Sequence, residues 1–211
     1  MKISDIRIDY SLKSLDISDV QNSPIEQFKK WFAEAIESKV LEVNAMTLST
    51  IQANGRPNSR VVLLKGVDTG FVFFTNYKSV KGKELENHPF VALNFYWAEL
   101  ERQIRILGKV EKVSSEESDE YFHSRPFASQ IGAWVSPQSE TIESREILSQ
   151  KEEEIKGKFS PETIRRPEHW GGYRVTPDEM EFWQGRPSRL HDRIHYKLTE
   201  SGAWQITRLA P

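Results

Sequence analysis

From Ala45 onward, hydrophobic residues recur with a period of two, in short runs separated by turn residues. Nothing else in the chain constrains its fold as much, because side chains on an extended backbone alternate between two faces. Met46, Leu48 and Thr50 alternate with Thr47, Ser49 and Ile51, and Asn54-Gly55 supplies a tight hairpin turn. Phe71–Thr75, Phe90–Trp97 and Gln103–Val113 follow at short spacing. Gly172–Val175, Glu181–Gln184, Arg193–Leu198 and Trp204–Leu209 complete the set, the last two joined around Ser201-Gly202. The pattern predicts a mainly β, α+β chain: a small antiparallel barrel with helices outside it. It has neither a βαβ alternation nor a GxGxxG turn, so a Rossmann dinucleotide site is not expected.

Helical periodicity is local. Ser23-Pro24-Ile25-Glu26 is a capping box with proline at the first helical position, and Ile25, Phe28, Phe32, Ala35, Ile36 and Lys39-Val40 follow at helical spacing. This predicts an amphipathic helix over 24–42. Ser79–Glu86 reads as a short helix. Ser114 and Glu117 form a second capping box ahead of a helix through Tyr121 and Phe122, and a charged helix covers about 140–157. Residues 1–22 read as an arm, leaving 23–211 as one domain. Arg60-Val61-Val62-Leu63-Leu64-Lys65 is apolar on both faces with a cation at each end, the pattern of a buried strand.

Composition narrows the function classes. With 29 Lys+Arg against 31 Asp+Glu, the net charge of −2 argues against a nucleic-acid partner. The lack of cysteine excludes a disulfide framework, thiol catalysis and Cys-ligated metals. No stretch approaches the roughly 18 apolar residues of a spanning helix, and the first twenty residues lack a signal-peptide core. A cytoplasmic protein with no membrane partner is expected. No metal is expected either, since His191 and His195 lack a third ligand and His88 and His169 lack a second. Six Trp, six Tyr and eleven Phe can fill a core or stack on a planar ligand.

The chemistry-bearing residues gather in four stretches. In Arg186-Pro187-Ser188-Arg189-Leu190-His191-Asp192-Arg193, an extended backbone places 189, 191 and 193 on one face. Two guanidiniums and an imidazole there need an anion. That anion is either a ligand, favoured by the neighbouring Phe182-Trp183, or nearby carboxylates such as Asp192 and Glu181. Arg60 and Lys65 read as charges capping a buried strand, nominally on opposite faces. Tyr121-Phe122-His123-Ser124-Arg125-Pro126, followed by Ser129, suits a phosphate monoester and is explained as well by a plain helix terminus. Lys78, Lys81 and Lys83 lie near a helix start, where anions are favoured; solvated lysines on an exposed turn are the commoner case.

Together these stretches are more specific than any one of them. Glu181-Phe182-Trp183-Gln184 and Arg189–Arg193, with Arg60–Lys65, Phe74-Thr75-Asn76, Leu100–Gln103, Tyr121–Pro126, Ser129–Trp134 and Arg208–Pro211, resemble the pyridoxine/pyridoxamine 5′-phosphate oxidase family. The likeness runs from about Arg7 to the last residue, in the family's order. It implies a split β-barrel homodimer binding FMN at the subunit interface. It further implies oxidation of pyridoxine or pyridoxamine 5′-phosphate to pyridoxal 5′-phosphate, with O2 reduced to hydrogen peroxide. The implied flavin contacts are Arg60, Val61, Val62, Leu63, Leu64, Lys65, Phe74, Thr75, Lys81, Gln103, Gln138, Ser139, Trp183 and Arg193. The implied substrate contacts are Arg7, Tyr10, Lys65, Tyr121, Arg125, Ser129, Arg189, Leu190 and His191. Arg189 and His191 would assist proton removal at C4′, and the arm would close over the substrate. One departure stands out: Val80 occupies a position where many members carry an arginine that would contact the flavin phosphate. Phe74 likewise replaces a frequent Tyr. The alternative within this fold is a flavin reductase or flavin-binding protein with another substrate, which would not need Tyr121, Arg125 and Ser129 together with Arg189 and His191. A non-catalytic anion- or nucleic-acid-binding barrel ranks behind both.

Overall fold

The computed structural model describes residues 2–5 and 8–211; Arg7 lies outside the described residues. Helix α1 (Pro24–Glu37) begins at its sequence signal, with the Ser23 hydroxyl accepting the Glu26 N–H. It stops at Glu37, short of residue 42. Lys39 turns left-handed (φ 55°), and the N–H groups of Lys39 and Val40 close back onto Ile36 and Ala35.

Nine strands follow, with helices between them: β1 (Ala45–Ile51), β2 (Pro57–Leu63), β3 (Gly66–Val67), β4 (Phe71–Asn76), α2 (Val80–Asn87), β5 (Phe90–Trp97) and β6 (Arg102–Lys112). Then come α3 (Ser115–Ser124), α4 (Phe127–Val135), α5 (Glu146–Lys158), β7 (Trp170–Gln184), β8 (Asp192–Leu198) and β9 (Trp204–Leu209). The fold is mainly β with peripheral helices, as expected. Helix α4 has no side-chain N-cap and was not foreseen; α5 starts at Glu146 rather than near 140.

The sheet runs β2-β1-β5-β6-β7-β4-β3, every pair antiparallel, with β8 on β7 and β9 on β8. Its two ends, β2 and β3, are consecutive in the chain. The Leu64 N–H bonds the Asn44 carbonyl and the Lys65 N–H bonds the Val72 carbonyl, so the chain passes from one end of the sheet to the other between these residues. This curls the sheet into a barrel.

Two expectations change here. The segments 172–175 and 181–184 belong to the single strand β7. Its register on β6 steps between Leu107 and Gly108, making Asp178 the extra residue of a bulge beside Pro177. A Cβ on Gly108 would come within 2.2 Å of the Thr176 carbonyl oxygen, so the bulge needs glycine. The first half of β7 bonds β4 and the second half bonds β8. The other change concerns Arg60–Lys65, which is not a buried strand. β2 is an edge strand in this chain, with Val61 65% and Leu63 42% exposed.

On the inner face of the sheet, Phe95, Ile104, Phe182 and Ile194 are cross-strand neighbours and fully buried. Phe28 of α1 packs on Phe71 at 4.9 Å and Phe95 at 5.1 Å between ring centroids. Aromatic pairs of this kind add about 0.5–1.5 kcal/mol each beyond burial. A second cluster, with Phe122, Ile131, Ile155 and Trp170, holds α3, α4 and α5 against β7.

Candidate active site

The outer face of the sheet carries a row set by register. Tyr96, Gln103, Trp183 and Arg193 are successive cross-strand partners across β5, β6, β7 and β8. They lie opposite the buried Phe95 row because side chains alternate. Over this row lies the N-terminal arm. The Tyr10 ring meets Trp183 edge-on at 5.7 Å and His191 at 5.8 Å, and Trp183 lies 4.6 Å from His191. Tyr96 is pushed up to about 12, first by its hydrogen bond with Tyr10 and then by burial. The arm is pinned by the Leu12 N–H to Glu101 and the Leu15 N–H to Asp192, both at 3.0 Å.

Beside the row opens a cavity of about 580 Å³ lined by Asp9, Tyr10, Arg186, Ser188, Arg189 and His191. The backbone there is not extended: Ser188 and Arg189 have φ of 58° and 62°. The expected shared face of 189, 191 and 193 therefore breaks up. Arg189 and His191 face the cavity, while Arg193 makes a two-pronged pair with Glu181 at 2.8 and 3.0 Å. For Arg193 the carboxylate reading holds. Glu181 is 3% exposed and also pairs with Arg105 at 2.8 Å. The His191 Nδ1 accepts the Arg186 N–H at 3.1 Å, which leaves the proton of the neutral ring on Nε2. His191 thus offers a donor. Leu190 is exposed.

A separate cavity of about 520 Å³ collects the other predicted residues: Arg60, Val61, Val62, Leu63, Lys65, Phe74, Thr75, Lys81, Tyr121, Arg125, Ser129 and Gln138. Arg60 and Lys65 reach it together because β2 ends at Leu63 and the chain bends there. Leu64 is buried in the core instead, with its backbone N–H and C=O bonded to Asn44. Ser139 follows Gln138 in a left-handed turn, φ 75°, outside the lining.

Besides Lys65, two cationic groups line this second cavity, Lys81 with Arg60 and Arg125 by itself. Lys81 donates to Gln138 Oε1 at 2.9 Å and to the Thr75 hydroxyl at 3.2 Å. Burial, then the charge of Arg60, holds its ammonium below the ordinary lysine pKa, with Glu84 opposing. Arg60 is anchored on Glu84 at 3.0 Å. The other group is Arg125. Its guanidinium stacks 4.6 Å from the centre of Trp170, and burial lowers its pKa, with Tyr121 opposing. Its NH1 is buried and has no hydrogen-bond partner among the described residues. The Gln130 amide clamps the Arg125 carbonyl at 2.8 Å from α4. Phe74 stacks on Tyr121 at 4.0 Å, forming an aromatic wall with Trp170.

The family profile described as pyridoxamine 5′-phosphate oxidase matches residues 32–159. The chain belongs to the pyridoxine/pyridoxamine 5′-phosphate oxidase family. A second profile, the pyridoxine 5′-phosphate oxidase C-terminal dimerisation region, matches residues 170–211. Relatives named pyridoxine/pyridoxamine 5′-phosphate oxidase include one from Cupriavidus necator, 54% identical over all of this chain and 99% of its own length. Another, from Paraburkholderia phymatum, is 57% identical over 99% of each chain. Among solved structures, PhzG from Burkholderia lata, in complex with tetrahydrophenazine-1-carboxylic acid, superposes with a TM-score of 0.88 at 31% identity. That match covers 96% of this chain and 100% of PhzG. A pyridoxamine 5′-phosphate oxidase-related, FMN binding protein from Nostoc punctiforme, 17% identical over 91% of this chain and 100% of its own with a TM-score of 0.73, shares the fold.

As a member of this oxidase family the chain is an oxidoreductase with the family's split-barrel fold. Sequence reasoning names Glu181 as a carboxylate for the cations of its stretch but misses Glu84 and Thr50 behind Arg60 and Trp170 behind Arg125. Each acts across strands or from a helix onto a strand, so no spacing along the chain marks it.

Proposed function

We propose that this chain, as a homodimer, oxidises pyridoxine 5′-phosphate and pyridoxamine 5′-phosphate to pyridoxal 5′-phosphate with FMN at the subunit interface. Arg125 carries the reading. It is a partly buried guanidinium with an unpartnered NH1, beside Tyr121 and Ser129, in the cavity that also holds Arg60 and Lys81. Two cationic grips in one cavity suit two phosphates, one of the flavin and one of the substrate. The donor set fits FMN in particular, because no carboxylate pairs with Lys81 among the described residues and its ammonium is held on neutral oxygens.

In this reading Arg60 and Lys81 hold the flavin phosphate, with Thr75 and Gln138 fixing Lys81. Tyr121, Arg125 and Ser129 hold the substrate phosphate, and Lys65 sits between the two. The cavity of Arg189 and His191 shares no lining residue with the cavity of Arg125. A second copy supplies the missing half: its Gln103, Trp183 and Arg193 row meets the flavin, and its Tyr10, Leu190, Arg189 and His191 cover the substrate. Supporting this, the dimerisation-region match spans all of β7–β9, and Val61, Leu63, Phe90 and Tyr96 leave apolar surface on the outer face.

FMN, when bound, supplies the two-electron acceptor that takes hydride from C4′ and passes both electrons to O2, giving hydrogen peroxide. The protein holds C4′ in place, and orientation of this kind lowers barriers by several kcal/mol. His191 already carries its proton on Nε2, so in place of the proton removal that the resemblance implies, it and Arg189 orient the C4′ hydroxyl or amine as donors. The proton of that group leaves to solvent. For the amine, water then displaces ammonia from the oxidised carbon. Unchanged kcat/KM in both Arg189→Ala and His191→Ala would remove this role.

A second reading follows from PhzG, whose structure holds a ring carboxylic acid: a planar carboxylate in place of the substrate phosphate. Absorption spectroscopy separates the two. Under the first reading, flavin bands bleach when pyridoxine 5′-phosphate is added without oxygen, and recover in air with an aldehyde product. Persistent flavin bands would favour another substrate.

A further inference from the structure

We infer that Glu84 is a positioning residue for flavin phosphate recognition, locking the Arg60 guanidinium and thereby setting the preference for FMN over unphosphorylated riboflavin. The inference rests on the FMN reading above.

Glu84 projects from α2 and is 6% exposed, yet it is a carboxylate. It accepts three hydrogen bonds: from the Thr50 hydroxyl at 2.6 Å, Asn58 Nδ2 at 2.9 Å and Arg60 NH2 at 3.0 Å. Arg60 NH1 donates in turn to the Thr50 hydroxyl and to the Leu48 carbonyl at 3.3 Å. Thr50 therefore passes a hydrogen bond from Arg60 to Glu84, and all three groups fix one another. A guanidinium has five donors in a rigid fork. Thr50, Leu48 and Glu84 engage both NH1 hydrogens and one on NH2. Among the described residues the Nε–H and the other NH2 hydrogen are left, and these adjacent donors match two oxygens of a phosphate. Arg60 and Lys81 line the same cavity. Glu84 also supplies the negative charge that lets the two cations stand together before any anion arrives. With Val80 where an arginine would be expected from the resemblance, more of the grip falls on these two cations.

Glu84→Gln keeps the shape and removes both the charge and an acceptor, setting an amide N–H₂ against donors that now face the carboxylate. The test titrates apoprotein with FMN and separately with riboflavin, reading flavin fluorescence quenching. The Kd for FMN is expected to rise about tenfold, as loss of a charge-assisted hydrogen bond implies, with the riboflavin Kd unchanged. Arg60→Ala should shrink the FMN-to-riboflavin ratio similarly, and adding Glu84→Gln to it should do nothing more. If Glu84→Gln unfolds the protein, Thr50→Val breaks the same relay and should show the same FMN-selective loss. Equal loss for both flavins, or tighter FMN binding, would overturn the positioning role. Wild-type apoprotein that binds neither flavin would instead overturn the FMN reading on which it rests.

Discussion

The guanidinium of Arg125 lies 4.6 Å from the centre of the Trp170 ring, and its NH1 is buried without a partner among the described residues. A buried donor left unmade costs about 1–3 kcal/mol, which a bound phosphate would recover. Arg125→Met keeps the stem against Trp170 and removes the orphaned donor. We expect the melting temperature to hold or rise, and kcat/KM for pyridoxine 5′-phosphate to fall roughly 10- to 100-fold. Steady-state kinetics and a thermal melt check both halves. A drop in stability together with full activity would mean that Arg125 serves packing.

Arg125 and Arg189 line different cavities. If a dimer joins the two cavities across its interface, Arg125→Ala and Arg189→Ala each disable both sites. A mixed dimer of the two variants then restores one intact site. Co-refolding equal amounts of the two inactive variants should return about a quarter of wild-type activity, since half of the dimers are mixed and each has one good site. No recovery would place both residues in a site built by a single chain.

Lys81 is held below its usual pKa by burial and by Arg60. A phosphate dianion beside it favours the charged ammonium, so flavin binding and protonation of Lys81 reinforce one another. The sign is then fixed: FMN affinity falls as pH rises through the lowered pKa of free Lys81. Riboflavin affinity should stay flat over the same range. Lys81→Met should weaken FMN binding and abolish the slope, as measured by fluorescence titration across alkaline pH.

A Cβ on Gly185 would sit 2.7 Å from the Tyr10 ring and 2.9 Å from Glu101 Cβ. Gly185→Val therefore pushes the arm off its seat while leaving the barrel core intact. The arm should then be cut faster by trypsin at Lys13, and KM for the substrate should rise several-fold, as lid residues alter binding. Limited proteolysis with and without substrate reads this directly. An unchanged cleavage rate would show that the arm holds on by its other bonds.

Much of the fold was legible in the chain. The two-residue period marked seven of the nine strands and one apolar run an eighth, and Ser23, Ser79 and Ser114 all cap helices where their spacing implied. These are local effects, decided by the alternation of side chains and by hydroxyls within reach of the next turn. Most residues expected to bind ligand line one of the two cavities, because the motifs that carry them keep their local spacing.

What the sequence determined by itself was therefore phase and chemistry: which residues alternate, where helices start, and which side chains carry charge. Tertiary structure decided everything that depends on a neighbour distant in sequence. It made β2 an edge strand, since exposure of an apolar strand depends on whether another strand lies beside it. It carried β7 through Pro177, because Gly108 opposite leaves room for the bulge. It gave Arg193 to Glu181 rather than to the face of Arg189 and His191. It also divided the predicted site between two cavities of one chain, because β2, β4 and α2–α4 build one wall while β7, β8 and the arm build the other.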